Sequence, residues 1–205
     1  MEPETALREL ASSISAKIAS KPDALGRYPP PVPDFDSSEF APSLPREATP
    51  RPCAYQFFEQ LTESSQRGTM NRIIAKAKAC EDLLAWGHAP GYTCENVGQA
   101  FLDNYCHALL TGPDGPLRCA APLGAFVLFG PNTFYRDHHH APNEIYLALT
   151  DGGQWRIGEH DWEQLEAGQT IFIPSNTVHA IRSGSEPLLT FSFWLEAGDM
   201  AEIEI

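Results

Sequence analysis

The sequence lacks several features that would place it in a broad class at once. Its 205 residues contain no run of 18 apolar residues, so no membrane-spanning helix is predicted. Lys and Arg number only 14 against 27 Asp and Glu, and the net charge of −13 argues against binding to nucleic acid or anionic lipid. The stretch MEPETALREL has neither the basic nor the apolar region of a signal peptide, which favours a cytoplasmic location.

The cysteines also argue against a cross-linked or zinc-cluster protein. There are five, an odd number, and no two of them form a CxxC pair. They are therefore interpreted as reduced thiols, in keeping with a cytoplasmic protein. The hydrophobic fraction of 42% is enough for one domain with a sizeable core, or for one domain with a cap.

The N-terminal part of the chain combines a helical pattern with a proline-rich stretch. Residues 1–20 are predicted to form an amphipathic helix, because apolar residues recur at three- and four-residue spacing: Leu7, Leu10, Ile14 and Ile18. Residues 21–52 hold half of the 18 prolines. Proline removes amide donors and fixes φ, so this segment is predicted to be an extended arm or linker.

Helical spacing returns over residues 53–112, which are predicted to form a helical cap. Gly68 and Thr69 mark a break between two helices of this segment. Thr93 is a candidate N-cap for a further helix that runs to Tyr105. These apolar helix faces need a partner surface, so we expect the cap to pack on the rest of the domain and to cover one mouth of it.

Residues 113–205 change to a period of two. Short apolar runs alternate with turn signals such as GPN, DGG and GSEP, which is typical of an all-β barrel or sandwich. The predicted strands are 124–129, 144–150, 154–157, 170–174, 179–183 and 188–195.

The stretch 134–153 carries the residues with the most obvious chemistry. His138 and His140 share one face of a strand, and Glu144 and Tyr146 share a face of the next. If the strands lie side by side, two imidazoles, a carboxylate and a phenol converge on the interior, and His179 can close the site from an opposing strand. Imidazole and carboxylate together bind divalent first-row metals well.

Each of these residues also has an ordinary structural explanation. A single histidine in a strand is usually a hydrogen-bonded structural residue, and Tyr146 can be a core aromatic. The combination of HxH, a glutamate four residues later and a third histidine after Gly-x5-Pro favours metal binding. His139 points the other way and is not expected to be a ligand. The remaining histidines have no such neighbours: His88, His107 and His160.

The stretch from Gly130 to His179 resembles the two motifs of the cupin superfamily. The first motif corresponds to Gly130, His138, His140, Glu144 and Gly152, with both glycines displaced from their usual spacing. The second corresponds to Gly168, Pro174, Ser175, Asn176 and His179, with asparagine where glycine is commoner. The resemblance implies a double-stranded β-helix barrel in which His138, His140, Glu144 and His179 bind one divalent transition metal ion of the series Mn, Fe, Co, Ni and Zn.

A narrower resemblance, over residues 54–196, is to the cupin-type dimethylsulfoniopropionate (DMSP) lyases. It rests on the pattern HxHxxxExY, which adds Tyr146 to the ligands, and on the helical region before the barrel. It implies a β-elimination of DMSP to acrylate and dimethyl sulfide, with Tyr146 as general base and Tyr135 as a second site phenol. The expected partners are a small zwitterionic or carboxylate substrate and, in a homodimer, a second copy of the chain.

The residues alone are also compatible with two other functions, because cupins host many chemistries. The first is a metal-dependent dioxygenase or isomerase that acts on another small carboxylic acid, and a requirement for oxygen would identify the dioxygenase. The second is a non-enzymatic ligand-binding cupin.

Overall fold

A computed structural model of the chain describes residues 2–20, 38–41, 52–63 and 69–205. The prediction of a mainly β protein with a helical N-terminal region is confirmed. The four α-helices are α1 Pro3–Ala19, α2 Tyr55–Glu63, α3 Thr69–Ala79 and α4 Gln99–Asp103. The first six β-strands are β1 Glu39–Phe40, β2 Trp86–Gly87, β3 Tyr105–Gly112, β4 Leu117–Arg118, β5 Leu123–Phe129 and β6 Phe134–His138. The other six are β7 Glu144–Ala148, β8 Gly153–Ile157, β9 Glu163–Leu165, β10 Thr170–Ile173, β11 His179–Arg182 and β12 Leu188–Trp194.

The strands form two sheets that face each other. The larger has the order β1-β4-β3-β5-β12-β7-β10, with β2 paired to β3, and the smaller has the order β6-β11-β8-β9. Their facing sides enclose a buried cluster that includes Val127, Tyr146, Trp155 and Ile181. Two sheets that face each other around a shared apolar interior are the arrangement expected of the predicted β-barrel. No helix in the described part of the chain is long and apolar enough to cross a membrane.

Helices α1, α2 and α3 pack on the outer face of the larger sheet, whereas Phe101 of α4 belongs to the interior cluster. The four apolar residues that predict α1 are all buried, and they share a cluster with Phe126 and Phe191 from the sheet. Residues on the opposite face of the same strands, such as Val127, belong to the barrel interior instead. The expectation that the helical region covers one mouth of the barrel stays a prediction.

Most of the proline-rich stretch lies outside the described residues, as does Gly68. Of its described residues, 38–41 contribute β1, which pairs with β4. Arg8 of α1 donates a hydrogen bond to the carbonyl oxygen of Ser38 at 3.0 Å. This short piece of the segment is therefore held against both the helical layer and the larger sheet.

The helix predicted from Thr93 to Tyr105 is wrong in its extent. Thr93 and Asn96 hydrogen-bond each other in a turn, and only α4 is helical. Tyr105 begins β3, which pairs with β5 from Tyr105 opposite Phe129 to Thr111 opposite Gly124. The larger sheet therefore begins before residue 113, where the barrel is predicted to start. All five cysteines are free thiols, in agreement with the prediction.

Candidate active site and metal centre

Three of the four predicted ligands converge inside the barrel. His140 follows β6, Glu144 begins β7 and His179 begins β11. One ligand atom from each lies within 4.8 Å of the others, and all three side chains are buried. The Glu144 Oε2 atom lies 3.0 Å from His140 Nε2 and 3.5 Å from His179 Nε2. We call His140, Glu144 and His179 the ligand group.

Backbone carbonyls orient the imidazole rings. The Nδ1 atoms of His138, His140 and His179 lie 2.9, 3.0 and 2.9 Å from the carbonyl oxygens of Arg136, Pro142 and Thr177. A carbonyl oxygen can only accept a hydrogen bond, so each Nδ1 is the donor and Nε2 is the nitrogen that faces the cavity. Orientation of a metal-binding histidine through its other ring nitrogen is the usual arrangement in metal sites.

His138 lies beside the ligand group rather than within it. Its ring centroid is 3.9 Å from that of His179, and its ring stacks on Tyr135 at 3.7 Å. Burial, and then the proximity of His179, hold the pKa of His138 well below its ordinary value, so the ring is neutral. The structure brings together two imidazoles and one carboxylate, and His138 stays a predicted fourth ligand.

Glu144 is held by donors on one side and by imidazoles on the other. Its Oε1 atom accepts hydrogen bonds from the Ser192 hydroxyl and from Trp194 Nε1, the latter at 3.1 Å. Both donors lie on β12, whose register with β7 places Trp194 opposite Glu144. Burial opposes ionisation of this carboxyl, but the charge and hydrogen bond of His140, together with the charge of His179, hold its pKa well below the ordinary range. A carboxylate therefore presents Oε2 to the imidazoles.

The donor set fits a divalent transition metal ion. Nε2 of His179 is buried and has no hydrogen-bond partner among the described residues. A buried polar atom without a partner is costly, and metal coordination would satisfy it. Neutral imidazole nitrogens and a carboxylate oxygen are ligands that suit this class of ion.

Two phenols lie next to the ligand group, as predicted. Tyr146 is two residues after Glu144 on β7 and lines the same cavity, with only 4% of its surface exposed. Burial, and then the negative charge of Glu144, raise the pKa of Tyr146 well above its ordinary value. Tyr135 also lines the cavity, and its hydroxyl hydrogen-bonds that of Tyr92.

Some site residues were not predicted from the sequence. Ser192 has no motif, although a lone serine in the apolar run LLTFSFW, two residues before a tryptophan, is a signal for an inward-facing polar group. Trp194 is one of several barrel aromatics among which the sequence makes no choice. Met200 and Ile203 also line the cavity, although they follow the last strand.

Asn176, which stands where the second motif commonly has glycine, fits the backbone conformation at its position. Asn176 has φ of +55°, in the left-handed region where glycine is the commoner residue and asparagine is tolerated. His139 pairs through its backbone with Glu204 and lies outside the ligand group.

A comparison with known protein families supports the resemblance to DMSP lyases. The model of the dimethylsulfoniopropionate lyase family matches residues 40–190, well over half of the chain. The chain belongs to the DMSP lyase family. The matched region contains the ligand group, His138 and both phenols.

Individual relatives and a solved structure agree with this family. The chain is 29% identical over 104 residues to dimethylsulfoniopropionate lyase DddQ of Ruegeria pomeroyi, covering 50% of this chain and 51% of that protein. It is 30% identical over 127 residues to putative dimethylsulfoniopropionate lyase DddL of Cereibacter sphaeroides, covering 61% of this chain and 50% of that one. The chain thus spans about half the length of these curated relatives.

The fold similarity extends over nearly the whole chain. A chain from the crystal structures of the DMSP lyases RdDddP and RnDddQII superposes with a TM-score of 0.75 at 24% sequence identity, covering 96% of this chain and 95% of that one. At this identity, the similarity shows a shared fold, including the helical N-terminal region.

Proposed function

We propose that this protein is a metal-dependent lyase that cleaves dimethylsulfoniopropionate into acrylate and dimethyl sulfide. Membership of the DMSP lyase family supports the substrate class. The observation that carries the proposal is that Tyr146 lines one cavity with His140 and Glu144 of the ligand group. A candidate base and a candidate carboxylate-binding site therefore lie next to each other.

The ligand group would hold the metal ion, with His138 as the predicted fourth ligand. A bound divalent ion supplies positive charge that binds the substrate carboxylate and favours the ionised form of a neighbouring phenol. The polar side of the cavity, formed by His140, Glu144 and Tyr146, then receives the carboxylate end of the substrate.

Tyr146 is the proposed general base. Its phenolate oxygen takes the proton from the carbon next to the substrate carboxylate, and the electron pair of that C–H bond forms the new C=C bond. The C–S bond breaks, its electron pair stays on sulfur, and the sulfonium leaves as neutral dimethyl sulfide. Because burial and Glu144 raise the pKa of this phenol, the role of Tyr146 depends on positive charge in the site.

Tyr135 is proposed to orient the substrate rather than to remove the proton. Its hydroxyl is engaged with Tyr92, and its ring stacks on His138. It lies on β6, in the opposite sheet from Tyr146, so the two phenols border the cavity from two sides.

Direct product detection tests this function. Purified protein, loaded in turn with each candidate metal, is incubated with DMSP, and dimethyl sulfide and acrylate are quantified by gas and liquid chromatography. The two products are expected in equal amounts. His179→Ala is expected to lose both bound metal and product release, whereas His160→Ala, an exposed histidine outside the site, is expected to keep both. Absence of both products with every metal would refute the proposal.

The composition of the ligand group favours one alternative. Two imidazoles and one carboxylate also form the facial set used by non-haem Fe(II) oxygenases. A β-elimination needs no oxidant, so dimethyl sulfide release is expected to be equal in air and under anaerobic conditions. Turnover that stops when oxygen is removed would favour the oxygenase.

A further inference from the structure

The segment that follows β12 runs along one side of the cavity. We call residues Glu196–Glu204 the strap. At its start, the Glu196 carboxylate accepts hydrogen bonds from the backbone N–H and the side-chain amide of Asn143, each at 2.8 Å. At its end, Glu204 exchanges two backbone hydrogen bonds with His139, at 2.9 and 3.0 Å. Both anchors belong to the stretch of chain that also carries the ligands His140 and Glu144.

The middle of the strap is also fixed against this stretch. A Cβ atom on Gly198 would lie 2.5 Å from Pro142 Cγ and 3.0 Å from the Trp194 ring, so the strap backbone packs directly on both residues. Asp199 then accepts a hydrogen bond from the backbone N–H of Ala201 and opens a short 3₁₀ turn. The position of the strap is therefore defined by several independent contacts.

Two strap side chains reach the cavity. Met200 and Ile203 line it together with the ligand-group residues His140 and Glu144. The other lining residues, apart from His140, lie on strands. The enclosed volume is about 20 Å³, room for about one water molecule. A substrate must therefore displace part of the cavity lining. The strap is a part of that lining that does not belong to either sheet.

The cavity has a polar side and an apolar side. His140, Glu144 and Tyr146 are polar, whereas β5 contributes Leu123, Ala125 and Val127. β5 lies two strands from β7 in the sheet, with β12 between them, which separates them by about 10 Å. A zwitterion with a carboxylate at one end and alkyl groups at the other matches this division.

We propose that the strap is a wall of the substrate pocket and that Met200 and Ile203 select the alkyl groups on the sulfonium end. This inference rests on the proposed lyase function. The sulfonium sulfur carries two small alkyl groups, which the thioether of Met200 and the branched side chain of Ile203 contact. Larger alkyl groups require a larger displacement of Met200 and Ile203 than methyl groups do, and shortening these side chains removes that requirement.

A comparison of two substrates tests whether Met200 and Ile203 form a wall of the substrate pocket. DMSP and its diethyl homologue are supplied separately, and dimethyl or diethyl sulfide is measured to give kcat/KM for each. In Met200→Ala, Ile203→Ala and the double variant, the ratio for diethyl over dimethyl substrate is expected to rise, by about tenfold in the double variant. Ile205→Ala is the matched control, because Ile205 is exposed just beyond the strap and its loss is expected to leave the ratio unchanged.

The outcomes separate this inference from the proposed function. If the wild-type protein releases dimethyl sulfide but the ratio is unchanged in all three strap variants, the wall assignment is wrong and the lyase assignment stands. If the wild-type protein releases neither sulfide, the lyase function fails and the assignment falls with it. The single variants keep the test available should the double variant not fold.

Discussion

Replacing Tyr146 by phenylalanine separates catalysis from packing at the centre of the site. The ring is buried on β7 and lies 5.9 Å, centroid to centroid, from Trp155. Phenylalanine keeps these ring contacts and removes only the hydroxyl, the loss of which is expected to cost about 1 kcal/mol of stability. Loss of a positioned general base lowers the rate by about 10²- to 10⁴-fold, which corresponds to about 2.7 to 5.4 kcal/mol in the activation barrier. The expected loss of activity thus exceeds the expected loss of stability.

The assay measures three quantities on the same protein: dimethyl sulfide release, bound metal and the free energy of unfolding in urea. Tyr146→Phe is expected to keep its metal and nearly all of its stability while product release falls by the stated factor. Tyr135→Phe is the matched control and is expected to lose less activity. Wild-type turnover in Tyr146→Phe would refute the base assignment, and loss of metal with activity would show that the phenol supports the metal instead.

Three further predictions concern the surroundings of the site. Ser192→Ala removes a hydrogen bond to Glu144 and is expected to weaken metal binding by about 10- to 100-fold in a chelator competition, whereas Ser192→Thr keeps the hydroxyl. Burial lowers the pKa of His107 to about 4, so the folded protein is expected to lose up to about 3 kcal/mol as the pH falls from about 6.5 to about 4. His107→Gln is expected to lack this part of the pH dependence in urea unfolding. Phe191→Ala empties a fully buried position and is expected to cost about 3–5 kcal/mol in urea unfolding, against about 0.5 kcal/mol or less for the exposed Phe134→Ala.

Each of these predictions has a result that contradicts it. Unchanged metal affinity in Ser192→Ala would mean that Trp194 alone holds the carboxylate. The sign for His107 follows from its lowered pKa: the unfolded chain binds the proton first, so acid favours unfolding, and an identical pH dependence in the variant would exclude this cause. Equal destabilisation by Phe191→Ala and Phe134→Ala would contradict the assignment of Phe191 to the core between helices and sheet.

The alternating strand β8 could be predicted from the sequence, whereas the buried strand β3 could not. β8 alternates between buried and partly exposed residues, and its predicted range differs from the observed one by a single residue. β3 is buried along almost its whole length, because the helical layer covers one face and the barrel interior lies on the other. Burial on both faces removes the alternation of period two. The apolar spacing from Val97 to Tyr105 then fits a helix equally well.

The arrangement of the site depends partly on spacing along the chain and partly on the pairing of distant strands. The sequence could predict that His140, Glu144 and Tyr146 lie close together, because only a few residues separate them along the chain. Ser192 reaches Glu144 only because β12 pairs with β7 in one particular register, in which Ser192 lies opposite Tyr146. A shift of that register by one residue would turn Ser192 to the helical face and place an apolar neighbour beside the carboxylate. The fixed pairing of two distant strands therefore determines whether Glu144 is a buried carboxylate with satisfied hydrogen bonds.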